Sequence, residues 1–208
     1  MSKIFTLTVI IYLISACTVL PKPQTTVSTY DFGSQAASNT AQLPNQSNLM
    51  PKSILIANAT TPSWLESTAI YYRLLYHNPT QTYAYANSRW IAAPAALFTQ
   101  QIRNRIITDT LEFVTKDSAT AKTDYVLHIE LEEFMQLFDT ATESRIAIGF
   151  HASLIERNTR KLIAQKSFNR NEKTSSADAA GAVLAFSTTS HELIDELVNW
   201  LLQELSRF

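Results

Sequence analysis

Few side chains in this chain could carry chemistry, and their spacing argues against most of it. Glu130, Glu132 and Glu133 form a tight carboxylate group. General acid–base work needs such a group shifted toward neutral pH in a desolvated pocket. Glu130 and Glu132 instead fall on the polar face of an alternating strand, where solvated charge is the default. His77, His128, His151 and His191 are scattered. His191-Glu192 opens like a zinc-binding HExxH, but Asp195 stands where the second histidine is required. No G-x-S-x-G surrounds Ser63 or any other serine. Gly33, Gly149 and Gly181 are the only glycines, too far apart to bring backbone N–H groups onto a phosphate. The expectation is therefore no catalytic residue, no metal set, no cofactor and no enzyme. Seventeen basic against 18 acidic side chains, with no basic run, also point away from nucleic acid.

One residue does fit a chemical role. Residues 1–17, MSKIFTLTVIIYLISAC, have a short positive start at Lys3 and an apolar stretch from Ile4 to Ile14. That stretch is too short to span a bilayer, which takes about 20 residues. It ends in Ile14-Ser15-Ala16-Cys17, which resembles a lipobox and implies cleavage before Cys17 and acylation of its side chain. The alternative is an ordinary signal peptide or short anchor in which Cys17 is incidental. Cys17 is the only cysteine, so no intramolecular disulfide can hold the fold. One acyl chain anchors marginally, whereas the two or three of a bacterial lipoprotein anchor durably. Thr18, where Asp would favour inner-membrane retention, favours the outer membrane.

The remaining candidate is a contact surface. Residues 64–107 begin with an alternating run, Ile70, Tyr72, Leu74 and Tyr76 on one face and Tyr71, Arg73 and Leu75 on the other. A break at 77–81 containing Pro79 has turn composition, and a second aromatic run follows at 83–90. Strand, turn, strand is the reading, with aromatic side chains on both faces. Trp64, Tyr71, Tyr72, Tyr76, Tyr83, Tyr85 and Trp90 are thus candidates to touch a partner subunit or lipid, unless further layers bury both faces. Arg73 and Arg89 sit among them to stack on rings, pair with carboxylates or meet a lipid phosphate.

The elements that must hold this surface are readable in outline. Hydrophobic residues at 46% and charged ones at 17% supply a core for one domain. Residues 17–51 are poor in charge and rich in Thr, Ser, Gln, Asn and Pro, the composition of a flexible tether. Within it Tyr30 and Phe32 either dock on a sheet edge or are two aromatics in a linker. Residues 53–58 predict a strand. Pro94 opens a helix over 94–108, with Phe98, Ile102 and Ile106 at fourfold spacing. A brief strand at 112–115 and a polar connection at 116–123 follow. Residues 125–134, 145–156 and 162–168 each alternate and predict an antiparallel meander, with a turn at 157–160. Such a sheet needs a helical cover. Leu193, Leu197, Trp200, Leu201 and Leu205 supply it on a C-terminal helix from about Ser176, which Ser190 could split by capping a second one. The fold class is α+β, a mostly antiparallel sheet covered by the central and C-terminal helices, with a signal peptide at 1–16, a tether at 17–51 and a domain at 52–208.

Trp64-Leu65, Ile70-Tyr71-Tyr72-Arg73, Arg89-Trp90 and Pro94 together resemble the ABC-type transport auxiliary lipoprotein family, whose members also often carry a short aromatic strand before the domain and usually end in a long helix. The resemblance implies a lipoprotein accompanying an MCE-type intermembrane lipid transport system of Gram-negative bacteria. It implies an MCE-domain protein and an ABC permease and ATPase as partners, attachment to the periplasmic face of the outer membrane, and docking without covalent chemistry. Phospholipid is a further candidate ligand, and a homo-oligomer would suit a ring around a tunnel. The polar 139–145 region and the long tether depart from the family. Two other readings stay open: a structural or assembly lipoprotein on the cell wall or an outer-membrane complex, and a solitary periplasmic lipid carrier.

Overall fold

A computed structural model describes residues 26–33, 53–109, 114–115 and 123–207. The expected leader, Cys17, Thr18 and most of the expected 17–51 tether therefore lie outside the described residues, as does most of the 116–123 connection. In chain order the elements are β1 Ser28–Tyr30, β2 Ile54–Ile56, a 3-10 turn Ser63–Leu65, β3 Ala69–Leu74, β4 Thr82–Trp90, α1 Pro94–Asp109, β5 Val114–Thr115, β6 Tyr125–Phe138, β7 Ser144–Glu156, β8 Lys161–Lys173 and α2 Ala179–Leu205.

The described strands make one mixed sheet. Its long ladders are antiparallel: β6 with β7, β7 with β8, and the β3–β4 hairpin. Its short ones are parallel. The free side of β6 is shared between β2, against residues 125–127, and β3, against residues 136–138. β5 extends β2, and β1 extends β4. The fold is α+β, with β1 and β8 at opposite edges.

Alternation decides which face is covered. Ile146, Ile148, Phe150, Ala152 and Leu154 of β7 are all buried. On β6 the buried parity changes: Leu127, Ile129 and Leu131 give way to Phe134, because the register shifts between Leu131 and Glu133. Such a bulge adds one residue and turns the following side chains over. Gly149 lies opposite Glu133 at this point, where an added Cβ would stand 2.8 Å from Asn169 Oδ1. Both helices share a single core with this face, α1 through Phe98, Ile102 and Ile106 and α2 through Leu193, Leu197, Trp200, Leu201 and Leu205. An Arg105–Asp195 ion pair of 2.5 Å ties the helices together.

Several boundaries differ from expectation for identifiable reasons. α2 is one helix; Ser190 is buried in its middle and caps nothing. Its N-cap is Asp178, whose carboxylate accepts from the Gly181 N–H at 2.8 Å. A Cβ on Gly181 would come within 2.3 Å of the Ser176 carbonyl, so the close turn depends on glycine. β8 continues past Phe168 to Lys173, since Asn169, Arg170, Asn171, Glu172 and Lys173 all keep register with β7. That polar run has no apolar alternation to announce it. β3 stops at Leu74, where the His77 and Asn78 N–H groups both reach the Leu74 carbonyl and close the turn. Tyr76 therefore belongs to the turn and not to a strand face.

The Tyr30–Phe32 island docks. β1 pairs with Ser88, Arg89 and Trp90, and Phe32 is buried with its ring 5.4 Å from Trp90 and 5.5 Å from Phe134. Ser187 and Gln101 bond the Phe32 and Gly33 carbonyls. Burying one such aromatic side chain is worth about 1.5–3 kcal/mol, comparable to the backbone entropy lost on ordering one or two residues, and the β1–β4 pairing adds to it.

Candidate functional site

The 3-10 turn places Trp64. Leu65 drops fully into the core, and its neighbour on so tight a turn faces outward, leaving Trp64 40% exposed. Trp64 meets Tyr71 edge-on at 5.7 Å, and Tyr71 Oη shares a 2.8 Å hydrogen bond with Ser67 Oγ. Tyr71 and Leu75 also pack over Met135, Leu137 and Ala147, a small apolar cluster separate from the main core.

Tyr72, Tyr83 and Tyr85 gather into a second group. The Tyr72 ring lies 5.3 Å from Tyr83, 4.7 Å from Tyr85 and 5.6 Å from Phe138. Tyr85 Oη donates to Gln136 Oε1 at 2.7 Å, and Gln136 Nε2 donates to Ser144 Oγ at 2.7 Å. Ser144 Oγ in turn meets Thr174 Oγ1 at 2.6 Å. Gln136 has no solvent exposure, so this chain satisfies a polar side chain that would otherwise be stranded. Burial, then the neighbouring Tyr72 and Asp178, push the Tyr85 hydroxyl far above its ordinary range and keep it a neutral donor. Gln136, Ser144 and Thr174 were not singled out in the sequence; the one available signal was a lone Gln between the apolar Met135 and Leu137.

Both hairpin faces are thus partly covered within the chain, and the contact set needs one correction. Trp90 is 1% exposed and surrounded by Phe32, Phe134 and Phe186. A ring in that position cannot meet a partner unless the core opens, so Trp90 is an anchor for β1 and the helices. Tyr76 is 52% exposed at the hairpin turn, and Arg89 is exposed on β4 opposite Thr29. Among the described residues Arg73 neither stacks on a ring nor meets a carboxylate; its Nη2 donates to Thr82 Oγ1 across the hairpin, and its buried Nε finds no partner there.

Two other places on the domain gather polar side chains. Strand register brings together Glu132, His151 and Ser167, with His151 Nε2 3.0 Å from Glu132 and Nδ1 2.7 Å from Ser167 Oγ. The residues are partly exposed on the open face of the sheet, with His151 and Ser167 on paired strands and Glu132 at the β6 bulge. A cross-strand polar ladder is what this geometry makes. A cleft of about 760 Å³ runs between α1 and the 58–66 segment. Its polar groups largely hold the protein together: Thr99 bonds Ala59 and Ala95, and Arg103 bonds Ile56 and Asn58. Asp195, where a second zinc-binding histidine would stand, pairs with Arg105. Among the described residues no cluster of three or more His, Cys, Asp or Glu could hold a metal ion, and no helix is long and apolar enough to cross a membrane.

Comparison with known proteins supplies the family. The model of the ABC-type transport auxiliary lipoprotein component matches residues 30–198, from Tyr30 of β1 into the last turns of α2. No curated protein matches the chain. Among solved structures, a DUF330-family protein of Xanthomonas campestris superposes with a TM-score of 0.66 at 18% identity, over 75% of this chain and 86% of its own. An uncharacterized protein superposes with a TM-score of 0.64 at 12% identity, over 85% of this chain and 99% of its own. A hypothetical protein of Chlamydia trachomatis reaches a TM-score of 0.53 at 10% identity, over 73% and 96% respectively. At these identities the structures share the fold alone.

Proposed function

This chain belongs to the ABC-type transport auxiliary lipoproteins, and from that premise we propose that it is the membrane-anchored lipoprotein subunit of an MCE/ABC-type intermembrane lipid transport system. Acylated Cys17 holds it to the periplasmic face of the outer membrane, and the folded domain docks the transport machinery there. ATP hydrolysis belongs to a separate subunit. The match over residues 30–198 carries this reading. The contact surface we assign is the hairpin end, led by its exposed aromatic side chains Trp64 and Tyr76 and bordered by the half-buried Tyr71, Tyr72, Tyr83 and Tyr85. Rigid aromatic side chains suit such a role because they offer large contact area for little lost rotamer freedom.

The test is a pull-down of the detergent-solubilised, acylated protein from its native envelope, with mass spectrometry of co-purifying proteins and lipids. A Trp64→Ala/Tyr76→Ala variant is the comparison, since both side chains can be cut back without opening the core. Recovery of MCE-domain and ABC-permease subunits with the native protein, and their loss with the variant while its unfolding midpoint is kept, is the expected result. Recovery of cell-wall or outer-membrane assembly proteins alone would overturn the transport role.

A further inference from the structure

The β1 edge of the sheet carries an apolar surface whose most exposed members, Val27, Ile91 and Leu184, belong to neither the core nor the aromatic hairpin. Ile91 and Leu184 are 64% and 61% exposed, the most of any large apolar side chain among the described residues, and Val27 just before β1 is 40% exposed. Ile91, Leu184, Tyr30 and Val183 line a shallow groove of about 420 Å³ between β1 and the first turns of α2. These five apolar residues come from three separate parts of the chain, residues 27–30, 91 and 183–184, so the patch is assembled by the fold.

We propose that this surface rests on the phospholipid bilayer that holds acylated Cys17, with Val27, Ile91 and Leu184 at the boundary between headgroups and acyl chains. The proposal depends on the acylation reading above. Its warrant is the position of the anchor. Nine residues separate Cys17 from Val27, a span of at most about 35 Å when fully extended. The β1 edge is consequently the first part of the described fold beyond the lipid, and the short link keeps its local concentration at the membrane high. Under that condition a few apolar side chains suffice for insertion that they could not sustain alone.

The same edge limits how deep the contact goes. Among the described residues β1 pairs with β4 alone, and the backbone groups along its outer side must stay hydrated. Asp31 also borders the groove, its Oδ1 accepting from the Gly33 N–H at 2.8 Å. Headgroup-level seating satisfies both and needs no anionic lipid, so the contact should be insensitive to salt.

Leu162 provides an internal control. It is 51% exposed on β8, at the opposite sheet edge, five strand spacings or roughly 24 Å away. Cys17 is the only cysteine, and acylation blocks its thiol, so Ile91→Cys, Leu184→Cys or Leu162→Cys each creates one labelling site in the full chain. Each variant would be purified acylated, labelled with an environment-sensitive fluorophore and reconstituted into phosphatidylethanolamine/phosphatidylcholine vesicles with and without brominated acyl chains.

Quenching by brominated lipid at positions 91 and 184 should exceed that at 162 by at least about twofold, for side chains seated some 5–10 Å into the interface, and should persist in high salt. Equal quenching at all three positions in vesicle-bound protein overturns the proposal and leaves the anchor intact. Labels shielded from aqueous iodide but not quenched by lipid would overturn it in favour of a protein covering the patch. Loss of the acyl mass, with the protein failing to float with vesicles, would instead remove the acylation reading and the proposal with it.

Discussion

Two aromatic groups, one between the sheet and its helices and one on the β3–β4 hairpin, differ in residue type and in fate. In the core, Phe32, Trp90, Phe98, Phe134, Phe150 and Phe186 contact one another edge-on or stacked at 4.2 to 6.4 Å, and all are buried. At the hairpin, Tyr71, Tyr72, Tyr83 and Tyr85 also make ring contacts, yet all remain half-exposed. A phenol needs a partner for its hydroxyl. Tyr85 reaches inward to the buried Gln136, and Tyr71 meets Ser67 at the surface. The phenylalanines carry no such requirement and can pack where no polar group reaches. The difference separates a group that holds the fold from one that is free to do something else.

Removing a ring from the core should have the largest effect. Phe134 touches Phe32, Trp90, Phe98 and Phe186, and Phe134→Ala should cost about 3–5 kcal/mol in urea unfolding. A loss below 1 kcal/mol would show that the core does not depend on this cluster.

Next comes the polar chain that runs inward from the hairpin tyrosines. Gln136→Leu strands the Tyr85 hydroxyl and should cost about 1–3 kcal/mol. In a double-mutant cycle with Tyr85→Phe the two losses should be less than additive, because they remove the same bond. Strict additivity would separate the hairpin tyrosines from the interior.

Asp178 tests the helix end beside the tyrosines. The Gly181 N–H, then Ser176, hold its carboxyl below the usual range. A group whose folded pKa is depressed contributes stability that is present above its unfolded value and lost as pH falls through the folded one. Asp178→Ala should therefore cost about 1 kcal/mol at neutral pH, typical for an N-cap. The gap between variant and native protein should close as pH drops below about 4. A gap that is unchanged at pH 2 would assign the loss to packing.

The smallest stability effect belongs to the exposed rings. Trp64→Ala and Tyr76→Ala should each change stability by no more than about 0.5 kcal/mol, the usual range for surface sites, while partner recovery falls. Destabilisation matching that of Phe134→Ala would erase the contrast between the two groups.

The periods of β6, β7, α1 and α2 are plain in the sequence, because each buries one face and the spacing of Ile146 to Leu154 or Leu193 to Leu205 reports it directly. The matched family was likewise legible in Trp64-Leu65, Ile70 to Arg73 and Arg89-Trp90. Tertiary structure alone decided what those residues face. Tyr85 and Trp90 lie five residues apart on β4, a spacing that simple alternation would put on opposite faces, yet both pack against the main core, because β3 and β4 slip register between Ala69 and Tyr71. The Leu131–Glu133 bulge, the parallel docking of β1 and the gathering of Val27, Ile91 and Leu184 arise the same way. Local periodicity fixes which side of an element is apolar; only pairing between distant strands fixes what that side meets.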